Sequence, residues 1–126
     1  MTTIPEKWAQ QAHYDLETAR AMLASGRLLY VLFCCQQSVE KMLKGIAAKR
    51  TGEFPPRAHN LVRLAEIAGL SLDEHQTNLM RELSVHYIQS RYPDETDAVA
   101  AQLSSGFAKR MLERTEEIIA WLSSML

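Results

Sequence analysis

Residues 28–48, LLYVLFCCQQSVEKMLKGIAA, are the stretch that most limits what this chain can become. At 3.6 residues per turn, Leu28, Val31, Leu32, Cys35, Val39, Met42, Leu43 and Ile46 share one wide apolar face. Cys34, Ser38 and Gly45 lie on the opposite side, small enough for a second helix to approach closely. Gln36 and Glu40 fall at the margin of the apolar face, which leaves mainly Gln37, Lys41 and Lys44 for water. A helix that is apolar or small on most sides belongs at the centre of a fold. Gln36 and Glu40 need partners where the helix is buried, and with Gln37 and Lys44 they are the structural polar residues of this helix. Glu40 and Lys44, four apart, read as a helical ion pair.

The rest of the chain supplies the neighbours for such a helix. Thr3-Ile4-Pro5-Glu6 is a capping box, so a first helix begins near Ile4 and buries Trp8, Ala12, Leu16, Ala19, Met22 and Leu23. Ser25-Gly26 stops it, and the short connection makes it an antiparallel neighbour of the central helix. Thr51-Gly52 and Pro55-Pro56 end the central helix near Arg50. His59-Asn60 opens a short third helix, with His59 as a helix-start or packing residue. Ser71-Leu72-Asp73-Glu74 reads as a second capping box, followed by a stripe of Gln76, Leu79, Met80, Leu83 and Tyr87. Pro93 places a break between Ser90 and Asp94. A last helix from about Thr96 carries Val99, Leu103, Phe107, Met111, Ile118, Leu122 and Met125. The expectation is one all-α domain over residues 1–126, an antiparallel up-and-down bundle of about five helices.

Composition closes off several classes of function. A net charge of −1 argues against nonspecific coating of nucleic acid. No apolar run reaches the roughly 18 residues a membrane span needs, and the first residues carry no signal-peptide pattern, so a cytoplasmic protein is expected. Cys34 and Cys35 are adjacent on a helix, where a mutual disulfide would be strained, and read as reduced packing residues. No phosphate-binding glycine loop, paired-cysteine motif or serine elbow is present, and nothing calls for a cofactor. Glu82 and His86 share a helical face, but one such pair falls short of a metal site.

The segment LMRELSVHYIQSRYPD, residues 79–94, gathers Arg81, His86, Tyr87, Arg91 and Tyr92 around a helix end. Arginine neutralises and orients phosphate bidentately, and imidazole moves protons near neutral pH. An Arg81–His86 pair could therefore serve phosphodiester chemistry, although a surface arginine beside a partly buried histidine fits the same spacing. Five positions apart, the two diverge by roughly 140° on a regular helix. One helix cannot aim both at one phosphate unless it is distorted or a second subunit contributes. Val85 and Ile88, off the core stripe, suit a homodimer or partner interface.

Together, Trp8, Ala12, Asp15-Leu16, Ala19, FCCQQSVEKMLKG (33–45), His59-Asn60-Leu61, Tyr87 and SRYPD (90–94) resemble the HEPN domain, higher eukaryotes and prokaryotes nucleotide-binding. The resemblance implies a helical bundle that commonly forms dimers and is often encoded beside a minimal nucleotidyltransferase, the two acting as toxin and antitoxin. Catalytic members are metal-independent ribonucleases with an arginine, four to six residues, then a histidine, a spacing that Arg81 and His86 fit. Glu82 stands where active members often carry Asn, Asp or His, and its charge opposes phosphate. Some members are silenced by nucleotidyl transfer to a tyrosine two residues past the histidine; that position here is Ile88, and the tyrosine is Tyr87.

Two functions follow as expectations. One is a binding module for a nucleotide, RNA or a nucleotidyltransferase partner, with Tyr87, Arg91 and Tyr92 as binding or regulatory groups. In its structural version, Gln36, Glu40 and Arg91 form a buried network that fixes bundle register. The other is a metal-independent ribonuclease toxin with Arg81 and His86 as its catalytic pair.

Overall fold

The computed structural model describes residues 2–89 and 91–126. Among these lie six helices: α1 (Ile4–Ala24), α2 (Leu28–Thr51), α3 (Leu61–Ile67), α4 (Glu74–Gln89), α5 (Pro93–Gln102) and α6 (Ser105–Ser123). The fold is an all-helical bundle with α2 as its axis. α2 packs against each of the other helices, most extensively α1 and α6. Its face of Val31, Leu32, Cys35, Val39, Met42, Leu43 and Ile46 is buried among Leu61, Leu64, Met80, Leu83, Met111, Ile119 and Leu122.

The capping box at Thr3 is made on both sides: Glu6 N donates to Thr3 Oγ1 at 3.3 Å, and Thr3 N to Glu6 Oε2 at 3.1 Å. α1 then lies directly on Gly45, where a Cβ would come within 3.1 Å of both Pro5 O and Trp8 Cβ. α2 ends at Gly52, in the left-handed region at φ 71°, whose N–H reaches Ala48 O. Both cysteines are free and buried. Burial pushes the Cys35 thiol up to about 12 and raises Cys34 as well, so both are poor thiolates.

Three expectations shift. The second capping box starts at Asp73 rather than Ser71: Gln76 N donates to Asp73 Oδ1 at 2.8 Å, and Asp73 N to Gln76 Oε1 at 3.0 Å. The expected last helix is two, because Leu103 is extended and Ser104 accepts from Phe107 N at 3.1 Å, a fresh N-cap that begins α6. Lys44 does not face water. Its Nζ lies over the Trp8 ring, 5.7 Å from the centroid, and the residue is buried. The break before α5 spans Arg91 and Tyr92, with Pro93 in the first turn; Ser90 lies outside the described residues.

Candidate functional site

The polar residues of α2 are tied into one buried chain. Glu40 Oε2 accepts from Lys44 Nζ at 3.1 Å, and Glu40 Oε1 accepts from Gln36 Nε2 at 3.0 Å. Gln37 Nε2 donates in turn to Gln36 Oε1 at 2.9 Å. The i,i+4 spacing of Gln36, Glu40 and Lys44 stacks them along one side of the helix. A buried carboxylate needs a compensating cation and filled hydrogen-bonding positions, and here both conditions are met.

The chain continues across the 52–60 connection. His59 Nδ1 lies 3.0 Å from Glu40 Oε1, and Gln36 Nε2 also donates to the His59 carbonyl at 3.2 Å. His59 is thus held at ring and backbone by α2. Its side chain is 54% exposed, while that of Glu40 is 6% exposed. The imidazole sits where the buried network meets solvent.

From His59 the cluster passes to aromatic rings. The His59 and Tyr87 centroids are 5.7 Å apart, and Phe33 stacks on Tyr87 at 5.6 Å. One turn further along, the Arg91 guanidinium lies 5.3 Å from the Tyr87 centroid, and Nη1 donates to Tyr87 Oη at 3.3 Å. Arg91 also borders a cavity of about 310 Å³ lined by Leu29, Tyr30, Phe33 and Thr96. Tyr87 is only 7% exposed, whereas Tyr92 is 56% exposed. Among the described residues the hydrogen bonds of Gln36 and Glu40 do not include Arg91, which is exposed and meets the cluster at Tyr87.

Arg81 and His86 take different surroundings. Arg81 is exposed and borders an open groove of about 500 Å³ between α3 and α4, with Val62, Ser84, Val85 and Ile88. His86 packs edge-on against Phe107 at 5.7 Å, and its Nδ1 is buried without a hydrogen-bond partner among the described residues. Burial holds its pKa below the usual histidine value, with the Glu82 charge opposing. Glu82 itself is engaged by Arg114 at 3.1 Å. Within one chain the regular α4 keeps the arginine and the histidine on separate faces.

His59, expected as a helix-start or packing residue, instead joins the Glu40 carboxylate to the Tyr87 ring. The available signal was Glu40: a carboxylate on a central helix demands donors, and Lys44 alone leaves one oxygen unsatisfied.

A family model for the HEPN domain matches residues 5–125. The chain is 32% identical over 104 residues to the DNA mismatch repair protein MutS of Chlorobaculum parvum, an alignment covering 82% of this chain. It spans 12% of the length of that relative. The fold matches the crystal structure of TT1696 from Thermus thermophilus with a TM-score of 0.82 and 27% identity over the full length of both chains. The helical bundle and the family match converge: the chain belongs to the HEPN domain family.

Proposed function

We propose that the protein is a binding module for a nucleotide, working with a minimal nucleotidyltransferase in a toxin–antitoxin-like pair. The observation that carries this reading is Arg91, held by Tyr87 Oη at the edge of the cavity lined by Tyr30 and Phe33. A base stacks on aromatic rings, and guanidinium takes phosphate. Tyr92, exposed beside Arg91, is the better regulatory hydroxyl, since Tyr87 is buried and already hydrogen-bonded. No helix among the described residues is long and apolar enough to cross a membrane, and the cytoplasm is the compartment proposed for this activity. The test is calorimetric titration with AMP. Wild type binds, and Arg91→Ala weakens binding by about tenfold or more, the value of one charge-assisted contact. Equal affinity in the two proteins would reject this site.

A second reading is the ribonuclease toxin, and the exposure of Val85 (51%) and Ile88 (55%) beside Arg81 favours it. A homodimer built on that strip would let Arg81 of one chain meet His86 of another. Sedimentation showing only monomer at working concentration would remove this arrangement.

A further inference from the structure

Of its ten residues, α5 buries only Val99. It lies beside the start of α2, and the space between them is an open cavity of about 380 Å³. The walls are Leu28, Leu29 and Tyr30 from α2, Ala100 from α5 and Leu103 from the α5–α6 junction. Leu28 and Leu103 pack against the central core and remain half-buried. Arg27 is the one charged residue of the lining. Its side chain is exposed and enters none of the ion pairs among the described residues. Arg27 precedes α2 at a position that favours an oxygen acceptor, and a guanidinium has only donors, so it makes no side-chain cap there. Local structure does not call for arginine at this place.

We infer that this cavity binds a small amphipathic carboxylate, an acid whose apolar body is the size of a medium-chain fatty acid. Cavities that hold small molecules run from about 300 to 1,000 Å³ and are mainly apolar, with a few placed polar groups. The apolar body displaces water from Leu28, Leu29, Ala100 and Leu103. The head pairs with Arg27, whose planar fork matches a carboxylate. Because Arg27 is exposed, the pair keeps water on one side and does not bear the full cost of burying charge. A single cation on an apolar wall selects against a nucleotide here, since sugar hydroxyls would lie unpaired against leucine side chains. Once filled, the cavity gives α5 the apolar contact with α2 that Val99 alone supplies poorly.

The experiment is titration with sodium octanoate below its micelle concentration, followed by calorimetry and by amide hydrogen exchange. Wild type should bind a single octanoate, and exchange should slow along α5. Octan-1-ol, with the same chain and no charge, should bind about tenfold more weakly or worse. Arg27→Gln should lower octanoate affinity by a similar factor and leave octanol affinity as it is. Ala100→Trp places an indole on the cavity wall from an exposed position, and should abolish binding of both while melting like wild type. Should that variant fail to fold, Ala100→Leu fills the same wall less and should weaken both ligands. Wild type that binds no octanoate would overturn the site. So would equal octanoate affinity in Arg27→Gln, or exchange that slows elsewhere and not in α5. None of these results bears on AMP at Arg91, so the two sites stand or fall separately.

Discussion

Glu40 Oε1 accepts from both Gln36 on its own helix and His59 from the far side of a loop. One carboxylate oxygen thereby joins the centre of the bundle to its solvent-facing edge. The consequences for stability and for binding separate along that chain.

Removing the carboxylate leaves Lys44 buried and charged without its partner. Glu40→Ala should cost about 3–5 kcal/mol in urea unfolding, the penalty of breaking a buried pair from one side. Removing both charges, in Glu40→Met with Lys44→Met, should recover most of that loss, since paired burial is close to break-even against apolar residues. A double variant as unstable as the single one would show that hydrogen bonding to His59 and Gln36, not charge, carries the energy.

Arg91 should behave differently. It is exposed and holds Tyr87 by one hydrogen bond and a cation–π contact, so Arg91→Met should cost about 1 kcal/mol or less, the range of an exposed cation–π contact. A purely structural role would have this substitution loosen the bundle. A fall in melting temperature as large as that of Glu40→Ala would restore that role.

Gly45 is fixed by proximity. A Cβ there meets a backbone carbonyl, Pro5 O, which cannot swing aside as a side-chain tip can. Gly45→Leu should destabilise by about 1–3 kcal/mol by prising α1 from α2. Gly45→Ala sets a smaller clash against roughly 1 kcal/mol of helix propensity and should fall near zero. Chemical denaturation of the two variants distinguishes space from propensity.

His86 gives a pH dependence whose sign is fixed by burial. Its folded pKa lies below the unfolded value, near 6.5, so the native state binds the proton more weakly. The contribution is complete above that value and is lost as pH falls through the folded pKa. His86→Gln should flatten the decline of melting temperature below about pH 6.5. An unchanged acid slope would assign it to other groups.

Much of this was legible in the chain because it depends on local periodicity. The apolar face of α2, the small Gly45 and the Thr3 box each follow from spacing within one helix, where geometry is known in advance. The misplaced start of α4 and the undivided last helix had local cues that competed: Ser71 and Asp73 both suit an N-cap, and Leu103 and Phe107 continue an apolar stripe across Ser104. Lys44 and His59 could not be read locally. Each depends on what another segment brings, Trp8 from α1 for the lysine and Glu40 from α2 for the histidine. The divergence of Arg81 and His86, by contrast, follows from helical pitch alone, and α4 keeps it.

The most direct test of the binding account is an amide chemical-shift map of the protein titrated with AMP. The account predicts shifts centred on Tyr30, Phe33, Tyr87 and Arg91, with Arg81 and His86 unmoved. Shifts centred on Arg81 and His86 would contradict it, and so would a spectrum that AMP leaves unchanged.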